Sequence, residues 1–217
     1  QLVNRLGPQR GKDTRFFAFC NTVKVKGYRD NGPWHGWIGV RFQLKPEAKP
    51  SDLIIHVRLN DPDHDRQMKD LGILGVNILH AVFFKRDRLE EFIESLVDNL
   101  DPRLVEIDVV RFEGHGFSMV DNRLFALQLV QSGLTPATLF LANGQVADVL
   151  YKRPIVLMRG SFNPVCNLHL EVMAQVKKTF LSHINETQAD RCMEICEISM
   201  NNLLRGDDVD HLEFLDR

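Results

Sequence analysis

Apolar and polar residues alternate in three stretches near the start of the chain. These stretches are Arg15–Val25, Trp37–Leu44 and Leu53–Leu59. Alternation with a period of two is typical of a strand that buries one face. The turn dipeptide Asn31-Gly32 separates the first two stretches, and Pro46 and Pro50 confine the loop before the third. The pattern predicts an antiparallel meander in residues 1–60.

From Asp63 the hydrophobic period changes to that of a helix. Six apolar residues carry the new period, namely Met68, Leu71, Leu74, Val76, Leu79 and Val82. This spacing predicts a helix that is buried on much of its surface. Gly72 and Gly75 lower its intrinsic helix propensity, and we expect them to permit close packing on a sheet. Arg88–Leu96 predicts a second, amphipathic helix.

Strand and helix patterns alternate in the rest of the chain. Strands are predicted at Val105–Phe112, Ala137–Leu141 and Ile155–Met158, helices at Asn122–Gln131 and Leu170–Phe180, and a strand or helix at Met193–Ile198. Asp121 stands where it can cap a helix. The fold class is therefore α/β of the mixed α+β kind, with N-terminal antiparallel strands followed by alternating strands and helices. We expect one domain over 1–217, with a possible subdivision into 1–60 and 61–217.

Composition excludes two classes of partner. The 217 residues are 44% hydrophobic and 26% charged, and 27 basic against 29 acidic side chains give a net charge of −2. A sequence-independent nucleic-acid binder needs a basic field, so no nucleic-acid partner is expected. No window approaches 18 uninterrupted apolar residues, so no membrane span is predicted either.

The cysteines and the chain ends suggest an intracellular fragment. Cys20, Cys166, Cys192 and Cys196 are too few and too unevenly spaced for a disulfide framework. A reducing compartment, either cytoplasm or an organelle matrix, is the simpler interpretation. The chain begins without Met, and its last residues, 209–217, have the pattern of a helix cut short. We therefore expect part of a longer or processed protein.

One segment carries a chemical motif. A short apolar strand runs into the sequence GSFNPVCNLH at 160–169, and a helical pattern follows. This resembles the nucleotidyltransferase superfamily, which includes nicotinate-mononucleotide and phosphopantetheine adenylyltransferases, where a strand runs into G-[ST]-F-[DN]-P-x-[HT]-x-G-H. The residues on the pattern are Gly160, Ser161, Phe162, Asn163, Pro164 and His169.

The resemblance implies roles for four of these residues. Gly160, Ser161, Asn163 and His169 would bind a nucleotide, with the ATP phosphates close to the glycine turn and to a helix N-terminus. His169 is the candidate catalytic residue, because in the family the final histidine stabilises charge on the phosphoryl oxygens as pyrophosphate leaves.

Three departures from the pattern favour a plainer interpretation. Cys166 stands where the family has His or Thr, and Leu168 replaces the glycine before the final histidine. Only 48 residues follow His169, too few for the rest of a Rossmann domain. The alternative is a strand-to-turn connection whose Gly and Pro set backbone angles.

A second resemblance covers nearly the whole chain. The chain is similar to the central part of a group of bacterial proteins that are often automatically labelled nicotinate-nucleotide adenylyltransferase or outer-membrane receptor. The segments that carry it are RLGP at 5–8, FFAF at 16–19, HGWIGVRFQ at 35–43, VDNRL at 120–124, ALQLVQ at 126–131 and RGSF at 159–162. The resemblance implies homology and no established activity, and members of the group extend beyond this chain at both ends.

Two clusters have metal-ligating side chains. Asp61, Asp63, His64 and Asp65 could hold a hard cation through oxygen atoms, but a solvated turn that caps the next helix is the favoured interpretation. Another cluster combines Cys192 and Cys196 with His183, nearby in sequence. Zinc would need a fourth ligand, so two buried thiols are favoured there. No metal site is predicted.

Two further clusters could bind a ligand or a partner. Asp108, Arg111 and His115 accompany the strand predicted at 105–112, where His115 beside a carboxylate could transfer protons. A structural histidine is the favoured alternative. Trp34 and Trp37 flank His35, and an exposed face there would suit a protein partner. The alternative places Trp37 in the core of the meander.

Two functions remain from different classes. The favoured one is a non-catalytic α/β domain that acts as a structural or interaction subunit of a larger protein or assembly, with protein partners and no cofactor. The alternative is a nucleotide-binding protein or nucleotidyltransferase that uses residues 160–169, with ATP and Mg²⁺. The position of Leu168 discriminates, because a leucine that fills the phosphate space would exclude the enzyme.

Overall fold

A computed structural model of the chain describes residues 14–147 and 153–200, together with the single positions 4, 5, 8, 11, 150 and 215. The described elements confirm a mixed α+β fold with an antiparallel sheet at the N-terminus. The chain forms two compact units, Gln1–Val146 and Ala147–Arg217. We call these the N-terminal and the C-terminal unit. The single-domain interpretation stays a prediction.

The N-terminal unit is built on a four-stranded antiparallel meander in the order β1-β2-β3-β4. Its strands are β1 (Phe16–Asn21), β2 (Trp34–Gln43), β3 (Ser51–Leu59) and β4 (Val105–Gly114). Its helices are α1 (His64–Phe84), α2 (Leu89–Leu96) and α3 (Asn122–Gln131), with a 3-10 turn at His115–Phe117. The first three strands are the predicted meander. The compact unit extends past residue 60 because β4 returns to pair with β3.

The core lies between the helices and one face of the sheet, which we call the inner face. Alternate residues of β2, β3 and β4 face the helices, and they form one core cluster with Leu71, Leu74 and Ile78 of α1. Phe92, Phe112, Phe117 and Phe125 form an edge-to-face cluster at the centre of this layer, with ring centroids 4.7–5.8 Å apart.

Helix α1 is confirmed, but two of its buried positions are polar. Met68 and Val76 are exposed, whereas Gln67 and Asn77 are buried. The Gln67 side chain accepts from the backbone N–H of Lys26 and donates to the carbonyl oxygen of Asp61. Asn77 donates to two backbone carbonyls at the end of α2, those of Leu96 and Asp98. Amides that are satisfied in this way can occupy inward positions that a hydrophobic pattern assigns to apolar residues.

The strand predicted at Ala137–Leu141 is wrong. This segment makes a single antiparallel bridge, between Phe140 and Val146, around a turn at residues 141–145. Thr135, just before it, donates its hydroxyl to Glu106 or to the carbonyl of Ala137. Local side-chain hydrogen bonds of this kind compete with a strand ladder.

The C-terminal unit is a β-α-β arrangement. Strand β5 (Ile155–Arg159) pairs in parallel with β6 (Met193–Glu197), and between them lie α4 (Asn167–Leu181) and the single turn α5 (Glu186–Ala189). The segment predicted as strand or helix at 193–198 is therefore a strand. A parallel pair requires such a crossover connection.

Among the described residues, no helix combines the length and the apolar content that crossing a bilayer requires.

Candidate functional site

The motif segment connects β5 to α4. Strand β5 ends at Arg159, and the N–H of Gly160 donates to the carbonyl of Glu197 at the end of β6, over 3.1 Å. The connection therefore leaves the carboxyl end of the parallel pair and enters the N-terminus of a 15-residue helix. In α/β sheets this is the edge where ligands bind, and free N–H groups of a first helical turn favour an anion there.

The packing of Phe162 accounts for the glycine at position 160. Phe162 is buried and has a φ of 46°, and a Cβ on Gly160 would lie 3.2 Å from its ring. The ring thus packs under the turn. Gly160 is needed for this packing whether or not a phosphate approaches it.

His169 caps the helix. Its Nδ1 accepts from the backbone N–H of Cys166 over 3.1 Å and lies 3.3 Å from the Cys166 sulfur. The N–H of His169 in turn donates to the backbone carbonyl of Cys166 over 2.9 Å, so the two residues bond reciprocally at the start of α4. Within the described residues, Nε2 of His169 has no hydrogen-bond partner.

Leu168, the residue that discriminates between the two functions, points into solvent and does not occupy the phosphate space. Leu168 is 65% exposed, so its side chain does not fill the turn. Ser161 and Asn163 are exposed as well, and Gly160 and His169 are half-buried. The four candidate residues therefore lie in one connection whose polar groups remain accessible.

Helix α4 exposes an apolar stripe. Leu168, Val172 and Val176 are spaced four residues apart, so they lie on one side of the helix, and each is exposed. We call these three residues the α4 stripe. Met173 is the buried residue of the helix and marks its inward side. Four-residue spacing of apolar side chains is normally a packing face, and here it is uncovered.

The acidic segment before α1 is the predicted helix cap. The Asp63 carboxylate accepts from the N–H of Arg66, and Asp61 accepts from the N–H of Asp63. His64 donates its Nδ1–H to the carbonyl of Lys26. Asp61 is buried, so this segment is less solvated than expected. Across the described residues, three or more His, Cys, Asp or Glu side chains nowhere converge as they would around a metal ion.

The interpretation of Cys192 and Cys196 as buried thiols is wrong. Cys196 is exposed on β6 and Cys192 is half-buried, because β6 belongs to a sheet of only two described strands. All four cysteines are free. His183 uses Nδ1 to donate to the carbonyl of Thr179 at the end of α4.

Asp108, Arg111 and His115 are not gathered into one site. Asp108 and Arg111 lie within β4, whereas His115 is exposed in the 3-10 turn that follows. Arg111 lines a shallow cavity of about 650 Å³ together with the start of α3. The partners of Asp108 are His56 and Arg58 on the neighbouring strand.

A chain of hydrogen bonds that sequence reasoning missed crosses the outer face, the side of the sheet opposite the main core. Nδ1 of His35 on β2 lies 3.0 Å from Nε2 of His56 on β3, and Nδ1 of His56 lies 2.6 Å from a carboxylate oxygen of Asp108 on β4. Arg58 donates to the other carboxylate oxygen over 2.9 Å. We call His35, His56 and Asp108 the histidine chain. The three residues occupy outward positions of neighbouring strands, which is the signal that could have found them.

A β-bulge brings Asp108 to this face. The register pairs His56 with Val109 and Val57 with Ile107, which leaves Asp108 as the extra residue of β4. In a bulge of this kind the strand alternation is interrupted, so Asp108 and Val109 both reach the outer face.

The two tryptophans pack on opposite faces of the sheet. Trp34 packs against the main core, whereas Trp37 packs on the outer face with Val109. The Trp37 ring lies 4.8 Å from the ring of His56 and helps to bury it. Trp37 therefore shields the histidine chain, which leaves only part of its own surface for a partner.

Comparison of the chain with protein-family models, curated proteins and solved structures found no match.

Proposed function

We propose that the chain acts as a structural or interaction subunit of a larger protein or assembly, and that the α4 stripe is its contact surface. The observation that carries this proposal is the exposure of Leu168, Val172 and Val176 on one side of a well-formed helix. Burying three such side chains against another surface contributes about 1.5–3 kcal/mol each at most. That is enough for the stripe to contribute substantially to a specific contact.

Substituting the stripe should abolish the contact and leave the fold intact. In the variant Leu168→Gln/Val172→Gln/Val176→Gln, each exposed change should alter the free energy of unfolding by no more than about 0.5 kcal/mol. A photo-crosslinking residue at Val172 should yield a crosslinked product in the native host, detected by mass spectrometry. The same residue at Lys178, also exposed on α4, is the matched control.

The stripe variants decide whether this contact is specific. Crosslinking at position 172 that disappears when Leu168 and Val176 are changed to glutamine supports the proposal. Equal crosslinking from positions 172 and 178, or none from position 172, contradicts it.

A second function is favoured by the β5–α4 connection. Accessible Ser161 and Asn163, an unpartnered Nε2 on His169 and an exposed Leu168 together suit a nucleotide phosphate at the start of α4. The parallel β-α-β arrangement is the one that binds phosphates in dinucleotide-binding folds, which is a fold-level analogy. This function requires ATP with Mg²⁺ as the ligand. His169 would donate a hydrogen bond to a phosphate oxygen.

Millimolar Mg-ATP with nicotinate mononucleotide should raise the melting temperature if this second function is correct. A ligand at a hundredfold excess over Kd adds about 2.7 kcal/mol, which corresponds to a shift of about 5–11 °C for a chain of this size. His169→Ala should lose the shift, and His183→Ala, in the same unit, should keep it. Because His169 also caps α4, the melt of His169→Ala without ligand measures that structural effect separately. No shift in the native chain contradicts nucleotide binding.

A further inference from the structure

The histidine chain fixes where its protons lie. Asp108 accepts two hydrogen bonds, and an ionised carboxylate can only accept. Burial raises the pKa of Asp108, but the hydrogen bonds from His56 and Arg58 outweigh burial and hold the pKa below its usual range. His56 must therefore donate its Nδ1–H to Asp108. When His56 is neutral, its Nε2 is left as an acceptor and His35 donates its own Nδ1–H to it.

The histidine chain ends at Nε2 of His35, which has a free lone pair. With the proton of His35 on Nδ1, its Nε2 carries no proton and can only accept. His35 is exposed, and within the described residues its Nε2 has no hydrogen-bond partner. An oriented imidazole with a free lone pair at the surface and a buried carboxylate behind it is the arrangement of a general base.

Partial burial and nearby cations favour the neutral form of His35. Burial is the largest cause that lowers the pKa of His35, and the charges of Arg58 and Lys24 act in the same direction, while Asp108 opposes them. Lys24 follows β1, and its N–H donates to the carbonyl of His35, whereas Arg58 pairs with His35 from β3. The imidazole thus lies in a row between two cations. Each cation is itself paired with a carboxylate, Lys24 with Asp30 and Arg58 with Asp108.

The surrounding packing makes the arrangement rigid. The side chains of His56 and Asp108 are 9% and 14% exposed, so water competes little for their hydrogen bond. Trp37 packs against the His56 ring. Gly36 permits a close approach of β2 to the backbone of residues 22–23. A Cβ on Gly36 would lie 2.6 Å from Thr22 O and from Val23 Cα.

We propose that His35 is a general base on the outer face of the N-terminal unit, positioned by His56 and Asp108, for a small substrate with an acidic O–H or N–H group. Nε2 of His35 forms a bond to the substrate proton, and the electron pair of the broken O–H or N–H bond stays on the substrate. The positive charge remains on the His35 ring, stabilised through His56 by Asp108. This activity is independent of the contact and nucleotide functions of the C-terminal unit.

The proton positions are tested on the native chain. Two-bond ¹H–¹⁵N spectra of histidine side chains distinguish the tautomers directly. We expect both His35 and His56 in the Nδ1–H form at neutral pH. A proton on Nε2 of His35 would overturn the proposal, because no lone pair would face solvent.

The reactivity of the lone pair is tested with diethyl pyrocarbonate. The imidazole nitrogen bonds to the carbonyl carbon, the C–O bond breaks, and the ethyl carbonate released takes up a proton and decays to ethanol and carbon dioxide. The rate at His35 is followed by peptide mass spectrometry, with exposed His115 as the internal standard. His56→Leu should slow modification of His35 about tenfold, which is the rate equivalent of about 1.4 kcal/mol and lies within the range for one neutral hydrogen bond.

A conservative substitution separates positioning from folding. His56→Gln has an amide that can donate to Asp108 and accept from His35, so it should retain most of the His35 rate. Unchanged rates at His35 in His56→Leu, with His115 also unchanged, would overturn the proposal. If His56→Leu loses the fold by circular dichroism, Asp108→Asn takes its place, because an amide nitrogen in the carboxylate position disturbs the same chain. An unchanged His35 rate in Asp108→Asn would overturn the proposal equally.

Discussion

Replacing Phe125 with alanine should lower the free energy of unfolding of the N-terminal unit by about 3–5 kcal/mol, the usual cost of deleting a fully buried phenylalanine. Phe125 is completely buried, and its ring lies 4.7 Å from that of Phe112 and 5.8 Å from that of Phe92. The variant removes an aromatic centre on which α2, α3 and β4 converge, and the rigid sheet cannot collapse into the cavity.

Urea unfolding followed by tryptophan fluorescence measures this effect. Both tryptophans, Trp34 and Trp37, belong to the N-terminal unit, so their emission reports on that unit alone. Phe84→Ala is the matched control, because Phe84 is 71% exposed at the end of α1. Its loss should cost less than about 1 kcal/mol. Similar losses in both variants would contradict the packing of the aromatic cluster.

Gly114→Ala should destabilise the same unit by at least about 2 kcal/mol, for two independent reasons. Gly114 has φ 91° and ψ 178°, a region that is almost restricted to glycine and costs other residues about 1–3 kcal/mol. An added Cβ would also lie 2.8 Å from the carbonyl oxygen of Pro50 and 2.9 Å from Cα of Ser51. Backbone atoms at that distance can move only by disturbing the pairing of Ser51 with Gly114.

Gly72→Ala provides the opposite control in the same unit. Gly72 is exposed on α1, and a Cβ there would meet nothing within 4 Å. Alanine should therefore stabilise the helix by about 0.5–1 kcal/mol. The two glycine variants, compared by the same urea unfolding, should shift the midpoint in opposite directions. A stabilising Gly114→Ala would contradict the backbone conformation at the end of β4.

Periodicity predicted most of the elements because burial of one face leaves a direct trace in the sequence. Helix α3 was predicted with its observed bounds, Asn122–Gln131, and its cap at Asp121 is confirmed by the bond from the N–H of Arg123. The three strands of the meander were predicted for the same reason. In each case the information is local, since it consists of alternation, helical spacing or a capping side chain within a few residues.

Elements that depend on distant partners were predicted less well. The run at residues 137–141 has the composition of a strand, but it finds a single bridging partner. Gln67 and Asn77 can be buried because distant backbone groups satisfy them: Gln67 accepts from the N–H of Lys26, and Asn77 donates to the carbonyl of Leu96. A local pattern carries no trace of those partners.

The sequence by itself determined the mixed α+β class, the meander and the junction at residues 160–169, because these follow from short-range periodicity and from a contiguous motif. Only the tertiary structure decided that Leu168 is exposed and that Phe162 occupies the space under Gly160. Only the tertiary structure, too, joined His35, His56 and Asp108. Strand register and one bulge bring these three residues together across 73 positions of the chain. The sequence marks the outward positions of each strand, but it does not show which residues of neighbouring strands pair.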